Sequence, residues 1–457
     1  MKNGKAVGKD GLKSEHLKFA HYDLLICITD LFNLMIIHHC IPKELMTVVI
    51  VPILKKKGLD PKNKNNYRPI ALATLLSKVL EKLILFYTIK QLNTTDNQFG
   101  FKRRSGCEQC IYTLKQLIDW CNRREIPLYV CYLDATKAFD NVQYFILLQK
   151  LIDNKFPLKL VNFFIIWFTN QTFQIRWGNI WSSSFFVQKG VRQGGILSPY
   201  FFALYVNDLS NQLNSSGIGL TIMGKLLNNL IYADDFCLLT TSKSSLDQLL
   251  NICDKYAENH GLTFNSSKTQ LQTFFPKWFN ILSPNTTIIF KNTEVPSVKC
   301  VRYLGFLVEQ ATKWSVDVLS HEEEICKKSA EIYKRAYMLR SKFNKCSLRV
   351  KKYLFTTYLS SIYCSSLWNL TSVQEKKITV AYNNAFRIVC NFRRDCSATE
   401  MFRENEIKNL RDIRKVAIYS LLGRNQNSSN QIIDFVAYSA IHGESKISSS
   451  WKTFCEP

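Results

Sequence analysis

The stretch LIYADDFCLL, residues 230–239, places two adjacent aspartates, Asp234 and Asp235, inside an otherwise apolar run. Residues 228–240 combine β-prone arms with a tight turn, which predicts a hairpin with the aspartates at its tip. Two carboxylates buried side by side repel each other and lose their hydration, at a cost of several kcal/mol. The pattern therefore predicts a compensating partner for these two side chains.

A second apolar run also ends in an aspartate. LYVCYLDAT, residues 128–136, is typical of a short buried strand, and Asp134 closes its apolar part. If this strand lies beside the hairpin in one sheet, Asp134 and Asp234 meet at the same edge. Magnesium prefers hard oxygen ligands and accepts one or two carboxylates together with substrate phosphates, so we expect a phosphoryl-transfer site there. The alternative is that each aspartate is an ordinary solvated strand-end residue.

The composition is that of a folded, strongly basic chain. Its 457 residues are 46% hydrophobic and 13% aromatic, which allows a large core and argues against general disorder. The net charge of +24 favours a polyanionic partner, although some basic chains are merely soluble. Fifteen cysteines without a regular framework fit a reducing compartment better than a secreted one. The apolar segment 24–41 is interrupted by polar residues such as Asp30 and Asn33, so no membrane span is expected.

Periodicity predicts a mixture of helices and strands. Helical spacing of apolar residues covers residues 12–40, 71–92, 107–125, 196–213 and 245–261. Strands are predicted at residues 46–56, 128–136 and 228–240, and a strand followed by a glycine-rich loop at 183–195. From about residue 320 the chain is mostly helical and basic. Residues 425–431, NQNSSNQ, are interpreted as a linker before a short tail.

Seven sequence blocks occur in a definite order: YRPIALATLLSKVLEKLI (67–84), QFGFKRRSGCEQCIY (98–112), YLDATKAFD (132–140), GVRQGGILSPYFFALYVNDL (190–209), YADD (232–235), NSSKTQ (265–270) and YLGFLV (303–308). Together they resemble a reverse transcriptase, and more narrowly the non-LTR, LINE-type retrotransposon branch. KNGKAVGKDGLKSEHLK (2–18) is similar to the segment that this family carries ahead of its fingers, with Val7 where proline or alanine is more usual. The resemblance covers residues 2 to about 310, and seven blocks in order are far more specific than YADD alone.

The resemblance implies an α+β fold, the right hand of polymerases, with an antiparallel palm sheet backed by helices. The implied domains are fingers with an N-terminal extension at residues 1–125, a palm with the catalytic hairpin at 126–310, a helical basic thumb at 311–400 and a C-terminal helical tail of unknown role at 401–457. Between Cys326 and Lys352, ten Lys or Arg stand against one acid, Glu331. This bias favours phosphate contact along a duplex over an ordinary solvated helix face.

The resemblance also implies the catalytic residues. Asp134 and Asp234 become the metal-binding pair, Asp235 the third acidic residue, and the carbonyl of Ala135 a further ligand. The implied cofactor is Mg²⁺, with Mn²⁺ as a substitute, and the primer 3′-hydroxyl attacks the α-phosphorus of a dNTP. Such chemistry needs no protein nucleophile, because positioning and charge stabilisation carry it. The implied partners are an RNA template, a DNA primer or RNA–DNA duplex, and dNTP, with no membrane.

Three basic residues resemble those that contact the phosphates of the nucleotide. Arg68 suits bidentate phosphate contact, whereas Lys78 acts as a point charge. Lys268, in NSSKTQ, resembles a residue that protonates the departing pyrophosphate. The alternative for either lysine is an ordinary solvated side chain.

Further positions are implied to surround the incoming nucleotide and the primer. Phe139 lies five residues after Asp134, where the family carries a bulky side chain that clashes with a 2′-hydroxyl; the alternative is a core phenylalanine. Gln193, Gly194 and Gly195 form a loop whose glycines let the backbone approach nucleotide or template closely. The turn of Tyr303, Leu304 and Gly305 resembles the hairpin that grips the primer end, the alternative being a plain strand turn.

Three functional interpretations remain open from the sequence. The first is an active RNA-directed DNA polymerase of a retrotransposon, in the nucleus or cytoplasm. The second is a catalytically inactive nucleic-acid-binding remnant, since the chain begins almost inside the first block and resembles an N-terminally truncated element. The third is an RNA-templated RNA polymerase or intron maturase, which Phe139 and the order of the blocks disfavour.

Overall fold

The structure is a computed structural model that describes residues 3–56, 58–222, 224–275, 287–311, 319–442 and 445–455. The chain folds into two compact units. Unit 1 comprises Met1–Phe101, Asp134–Gly217 and Leu249–Asn265, and unit 2 comprises Lys102–Leu133, Ile218–Gln248 and Ser266–Pro457. Neither unit is a single continuous segment of the chain.

Helices are distributed along the whole described chain. They are α1 (Ser14–Lys18), α2 (Tyr22–His38), α3 (Lys43–Met46), α4 (Leu75–Thr88), α5 (Cys107–Arg123), α6 (Tyr144–Asp153), α7 (Leu158–Asn170), α8 (Ser198–Tyr205), α9 (Asn207–Ser215), α10 (Lys243–Asn259), α11 (Glu322–Phe343), α12 (Leu348–Leu359), α13 (Ser372–Cys390), α14 (Ala398–Glu404), α15 (Leu410–Gln426), α16 (Gln431–His442) and α17 (Lys446–Cys455). Short 3₁₀ helices lie at Lys64–Asn66, Ala138–Asn141 and Ser365–Leu367.

Strands occupy mainly the first two-thirds of the chain. They are β1 (Thr47–Leu54), β2 (Tyr67–Leu72), β3 (Leu128–Asp134), β4 (Thr172–Trp177), β5 (Ile180–Trp181), β6 (Phe185–Phe186), β7 (Leu220–Ile222), β8 (Lys225–Leu227), β9 (Asn229–Tyr232), β10 (Asp235–Thr240), β11 (Gln270–Phe274), β12 (Ile288–Phe290), β13 (Thr293–Val295), β14 (Cys300–Tyr303), β15 (Phe306–Gln310) and β16 (Leu319–Ser320).

Unit 1 contains a five-stranded sheet in the order β2-β1-β4-β5, with β6 paired to β4. β1 runs antiparallel to β2 and parallel to β4, which brings Thr47 opposite Thr172. The buried side chains of Val48, Ala71 and Phe173 pack together where these strands meet. β1 is rich in Val and Ile, as a half-buried pleated surface requires.

The helix predicted over residues 71–92 begins only at Leu75. Ala71 and Leu72 instead extend β2 and pair with β1, a partner that helical periodicity in the local sequence does not reveal. Thr74 then caps the helix, because its hydroxyl accepts a hydrogen bond from the backbone N–H of Ser77 at 3.3 Å. The long-range strand pairing therefore sets where α4 starts.

The helix predicted over residues 196–213 is divided into α8 and α9 at Val206. The hydroxyl of Tyr256 donates a hydrogen bond to the carbonyl of Tyr205 at 2.6 Å. The N–H of Leu209, which an uninterrupted helix would direct to that carbonyl, bonds to Val206 instead. The side chain of Tyr256 in α10 thus takes the place of the backbone hydrogen bond that would join α8 to α9.

Unit 2 is built around a four-stranded sheet in the order β11-β3-β10-β9. The residues of β3 from Leu128 to Leu133 are all buried, which accounts for its uninterrupted apolar sequence. β11 runs antiparallel to β3, and β9 runs antiparallel to β10. The prediction that the run ending in Asp134 and the hairpin carrying Asp234 and Asp235 are neighbours in one sheet is confirmed.

The predicted basic helical region, residues 326–352, forms α11 and the beginning of α12. Ile325, Ile332 and Leu339 are buried at helical spacing, and this face of α11 packs against α13. Most of the Lys and Arg side chains between Ile325 and Leu339 are exposed. The region therefore presents a basic outer face over an apolar inner one.

The segment 425–431 is not a free linker. α15 continues to Gln426, and Asn425 is buried and accepts a hydrogen bond from the side chain of Gln109 in α5 at 3.2 Å. Composition predicted a loop because Asn and Ser favour turns, but here a distant polar partner holds the first residues in a helix. Only the residues between Gln426 and Gln431 connect α15 to α16.

The last helix, α17, also packs on α5. The ring of Trp451 stacks on that of Tyr112, with the ring centroids 5.6 Å apart. Its indole N–H donates to the carbonyl of Ser366 at 2.7 Å, so the buried polar atom is satisfied. The C-terminal residues therefore belong to the core of unit 2.

Replacing Trp451 with alanine should destabilise unit 2 by about 3–5 kcal/mol, because it leaves a cavity and an unpaired carbonyl. Urea denaturation measures this change. It is monitored by far-UV circular dichroism rather than by fluorescence, because the substitution removes a tryptophan. The exposed neighbour Lys452, replaced by alanine, serves as the matched control and should leave the midpoint almost unchanged. Equal stability of the two variants would show that the C-terminal helix is not part of the core.

The α+β class predicted from the sequence is confirmed by these antiparallel sheets and helices. The boundaries of fingers, palm, thumb and tail stay predictions, and residues 276–286 and 312–318, which they include, lie outside the described residues. Among the described helices, none has the length and apolar character needed to cross a membrane.

Candidate active site

The two adjacent aspartates lie at a two-residue turn. Tyr232 pairs with Asp235, so only Ala233 and Asp234 connect β9 to β10. Ala233 has a φ of 56°, a conformation that residues with a Cβ adopt at an energetic cost. Asp234 is half-buried and Asp235 is exposed, while the arms on either side are buried. The hairpin prediction is confirmed, and the turn removes the need to bury both carboxylates.

Asp134 is the last residue of β3, whose neighbour β10 begins at Asp235. Its carbonyl accepts a hydrogen bond from the N–H of Asn265 at 2.9 Å, and the next residue, Ala135, forms a bridge with Phe264. The backbone that follows β3 is therefore held in place by contacts with residues of unit 1.

The donor set at these strand ends fits a magnesium ion that completes its shell elsewhere. In the ranges that the structure describes, no three His, Cys, Asp or Glu side chains form a self-sufficient metal cluster. Magnesium commonly takes one or two carboxylates and fills its remaining positions with water and substrate phosphates. Asp134, Asp234 and Asp235 carry carboxylates, which are hard oxygen ligands, and their role in holding the metal stays a prediction.

The loop Gln193–Gly195 is anchored within unit 1. The carbonyl of Gln193 accepts a hydrogen bond from the N–H of Ala71 at 2.8 Å, and its side-chain amide donates to Asp140 at 2.9 Å. Gly194 has a φ of +116°, and a Cβ there would lie 3.0 Å from the carbonyl oxygen of Ala71. Glycine is therefore required at Gly194 both by the backbone conformation and by the approach of β2.

Phe139 lies on the 3₁₀ helix Ala138–Asn141 and is half-buried. Its ring stacks on that of Phe202, with centroids 4.8 Å apart. Its carbonyl accepts a hydrogen bond from the N–H of Val191 at 2.8 Å, which ties it to the start of the glycine loop. A half-buried ring beside this loop is compatible with the sugar-gate prediction, which stays a prediction.

Two of the three basic residues predicted to contact phosphates, Arg68 and Lys78, also belong to unit 1. Arg68 lies on β2 and is exposed. Lys78 lies on α4 and is half-buried; burial lowers the pKa of its ammonium group, while the carboxylates of Asp10 and Glu81 oppose that shift. Lys78 is therefore not an ordinary solvated helix residue, although its contact with phosphate stays a prediction.

Glu81 and Arg192, which no sequence pattern singled out as site residues, form a buried ion pair in the same unit. A signal exists for Glu81, because it falls on the buried stripe of α4 together with Ser77, Leu80 and Ile84. A charged residue on a buried helical face requires a partner. The sequence cannot say that this partner is Arg192, more than a hundred positions away.

The predicted primer-grip residues form a second two-residue turn, in unit 2. Tyr303 pairs with Phe306, and Leu304 and Gly305 between them both have positive φ values, 48° and 85°, as type I′ turns require. The hydroxyl of Tyr363 donates to the Leu304 carbonyl at 2.8 Å. The turn is therefore held from outside the hairpin, and its role in gripping the primer stays a prediction.

The ring of Tyr303 is buried behind this turn. Its hydroxyl lies 3.3 Å from the sulfur of Cys110 in α5. Burial raises the pKa of the Cys110 thiol to about 12, and the negative charge of Asp235 acts in the same direction. Lys268, predicted to protonate pyrophosphate, is exposed in the loop before β11, and its role stays a prediction.

A buried lysine lies under the β14–β15 hairpin. Lys115 of α5 donates to the carbonyl of Leu367, lies 3.1 Å from Nε2 of His321, and sits 5.5 Å from the centroid of the Phe306 ring. Burial lowers the pKa of Lys115 to about 7. Burial also holds the pKa of His321 well below its usual range, and the positive charge of Lys115 acts in the same direction. These two groups therefore make the stability of unit 2 depend on pH.

The stability of unit 2 should rise as the pH increases from about 7 to about 9. The unfolded chain keeps Lys115 protonated up to a pKa near 10.5, whereas the folded chain releases that proton near pH 7. The unfolded state therefore binds more protons in this window, so the free energy of unfolding increases with pH. Urea denaturation at pH 7, 8 and 9 measures the slope.

Lys115→Met should flatten this slope and raise the free energy of unfolding at pH 7, because no buried charge remains. The exposed Lys345→Met is the matched control and should keep the wild-type slope. A slope that persists in Lys115→Met would assign the pH dependence to other groups.

Phe139→Ala should raise the ratio of ribonucleotide to deoxynucleotide incorporation, because it opens space beside the nucleotide loop. Steric discrimination of this kind amounts to a few kcal/mol, as for other pocket-shape effects. Single-nucleotide primer extension with matched rNTP and dNTP measures the ratio. Phe145→Ala, which removes a ring that is 80% exposed, is the control.

If Phe139 acts only as a packing residue, the ratio stays unchanged. Activity with both sugars then falls together with thermal stability, since the stacking on Phe202 is lost. Measuring the melting temperature beside the ratio separates these outcomes.

Aspartates at the ends of neighbouring strands are the arrangement expected of a phosphoryl-transfer site, and the strong positive charge is that of a protein with a polyanionic partner. Residues 54–308 match the family described as "Reverse transcriptase (RNA-dependent DNA polymerase)". This match covers more than half of the chain, and the chain belongs to that family.

Known relatives include transposon proteins of flies. The probable RNA-directed DNA polymerase from transposon X-element of Drosophila melanogaster is 26% identical over 408 residues, covering 85% of this chain and 42% of that protein. The RNA-directed DNA polymerase from mobile element jockey of Drosophila funebris is 25% identical over 365 residues, covering 77% of this chain and 38% of that protein. The chain thus spans less than half the length of these relatives.

Solved structures with a related chain path include telomerase from Candida albicans in complex with a fragment of telomeric RNA. The likeness has a TM-score of 0.41 and 13% identity, and it covers 86% of this chain and 66% of that chain. A TM-score of this size does not by itself define a common fold.

Proposed function

We propose that this chain is the RNA-directed DNA polymerase of a non-LTR, LINE-type retrotransposon, which extends a primer 3′-hydroxyl with dNTP on an RNA template. The observation that carries the proposal is the order β11-β3-β10-β9, in which the strand ending at Asp134 is the neighbour of the strand beginning at Asp235. Membership of the reverse transcriptase family supports the same activity.

The carboxylates of Asp134, Asp234 and Asp235, with the carbonyl of Ala135, would hold Mg²⁺, or Mn²⁺ in its place. Two divalent ions, when bound, stabilise the attacking and leaving oxygens of the displacement. The position of Asp234 and Asp235 at the turn supports this assignment, because neither residue is fully buried in the core. The strained backbone at Ala233 supports it further, since such strain concentrates at functional sites.

The nucleotide would lie against unit 1. Arg68 and Lys78 would bind its phosphates, and Phe139 would exclude the 2′-hydroxyl of a ribonucleotide. Gln193 and Gly194 would contact the base or the template through the exposed side of their loop. Lys268 would donate a proton to the departing pyrophosphate.

The nucleic acid would contact unit 2. The turn of Tyr303, Leu304 and Gly305 would hold the end of the primer, and its fixation by Tyr363 supports a rigid role. The basic faces of α11 and α12 would bind the phosphates of an RNA–DNA duplex, since Lys and Arg far outnumber acids there. The proposed domains remain fingers at 1–125, a palm at 126–310, a thumb at 311–400 and a tail at 401–457. The protein would act in the nucleus or cytoplasm.

The proposed activity is tested by primer extension on poly(rA)/oligo(dT) with Mg²⁺. Asp134→Asn and Asp234→Asn should each abolish extension, because asparagine keeps the shape but removes the charge that binds the ions. Fluorescence anisotropy should show almost unchanged binding of the same primer–template. Asp247→Asn, at an exposed position of α10, is the matched control and should extend normally.

Three results would contradict the proposal in different ways. Binding without extension by the wild-type chain would identify an inactive nucleic-acid-binding remnant. Equal loss of binding and extension in the two aspartate variants would assign these residues a structural role. Faster extension with rNTP than with dNTP would point to an RNA polymerase.

A further inference from the structure

The loop Gln193–Gly195 rests on a buried ion pair. Glu81 of α4 and Arg192 lie 3.3 Å apart, and their side chains are only 6% and 5% exposed. A buried ion pair is costly to form, and each charge needs further hydrogen bonds to be tolerated. The hydrogen bonds that these two side chains make therefore indicate the role of the ion pair.

Arg192 is enclosed by residues of unit 1. Its Nε donates to the side-chain oxygen of Gln171 at 2.9 Å, and its Nη1 donates to the hydroxyl of Ser77 at 3.1 Å. The guanidinium carbon lies 4.7 Å from the centroid of the Trp167 ring. The adjoining cavity has a volume of about 20 Å³, which is far too small for a nucleotide. Arg192 is thus shielded from substrate although it precedes the loop directly.

Glu81 secures the far end of the same loop. Its Oε2 accepts hydrogen bonds from the backbone N–H groups of Ile196 at 2.6 Å and Leu197 at 3.0 Å. These amides precede the first turn of α8, where a helix leaves N–H groups unpaired and favours negative charge. One carboxylate therefore joins α4, the end of the loop and the start of α8.

The rest of the loop is held by backbone contacts on both sides. The N–H of Val191 donates to Phe139, and the N–H of Ala71 donates to Gln193. A Cβ on Gly195 would lie 2.5 Å from the hydroxyl of Ser198, so this residue is packed as closely as Gly194. Only the outer surface of Gln193 and Gly194 remains accessible.

We propose that Glu81 and Arg192 are positioning residues, which hold the loop Gln193–Gly195 in the conformation that receives the nucleotide without touching it. This inference rests on the proposed polymerase function and deepens it. Glu81 acts through the amides of Ile196 and Leu197, and Arg192 orients the Glu81 carboxylate. The pair thereby connects the helix that carries Lys78 to the loop beside Phe139.

The test replaces Glu81 with glutamine, which keeps the side-chain shape and removes the charge. Hydrogen–deuterium exchange of the peptide spanning residues 193–197 should become faster, because its amides lose a charged acceptor. In primer extension the KM for dNTP should rise by about tenfold or more, as expected for a lost charge-assisted hydrogen bond. The affinity for primer–template should remain that of the wild type.

Lys82→Gln is the matched control, since this neighbour on α4 is exposed. It should leave both exchange and KM unchanged. A merely structural role of Glu81 predicts a smaller fraction of active protein, with a lower kcat and the wild-type KM. That result, or unchanged exchange at residues 193–197, would overturn the inference.

A double variant keeps the test decisive if Glu81→Gln unfolds. Glu81→Leu combined with Arg192→Met removes both charges, and such replacements of buried ion pairs are commonly tolerated. This variant should fold and still show the raised KM, because the amides of Ile196 and Leu197 remain without an acceptor. A wild-type KM in the folded double variant would contradict the inference.

Failure of the proposed function is distinguishable from failure of this inference. A wild-type chain that extends no primer refutes the polymerase activity. The exchange measurement does not require activity, so it still decides whether Glu81 holds the loop.

Discussion

Adjacent carboxylates cannot remain charged inside an apolar strand without a counter-charge, and the sheet of unit 2 is arranged around that constraint. The chain turns within two residues, so that the apolar arms of β9 and β10 enter the core while Asp234 and Asp235 stay at the surface. The turn costs backbone strain at Ala233, whose φ is 56°. The proposal for the site depends on this geometry, because it keeps Asp234 and Asp235 out of the core in the hairpin next to β3.

Two of the buried cations, Arg192 and Lys115, have different surroundings. Arg192 faces the carboxylate of Glu81 and retains its charge, since a guanidinium loses its proton only at very high pH. Lys115 donates to a carbonyl and lies beside an imidazole, and burial lowers its pKa to about 7 although the charges of Asp119 and Glu324 oppose that shift. Arg192 is thus suited to holding a loop at any working pH, whereas Lys115 makes unit 2 sensitive to pH near neutrality.

Local sequence patterns predicted the features that depend on neighbouring residues. The hairpin at Asp234, the buried strand β3 and the glycine loop follow from turn residues and apolar periodicity, and all are present. The errors arose where a distant residue intervenes. Ala71 joins a strand because β1 lies beside it, and α8 ends at Tyr205 because the Tyr256 hydroxyl takes its carbonyl. The helix that continues through Asn425 likewise depends on Gln109.

The sequence by itself determined the α+β class and the family, because these follow from residue types in a fixed order. Only the tertiary structure decided that β3 lies beside β10, that β1 pairs with β4, and that Glu81 meets Arg192. The physical reason is the range of the interactions involved. Turns and periodic burial act over a few residues and leave a pattern in the chain, whereas the pairing of strands and buried charges is selected by packing among segments far apart in sequence.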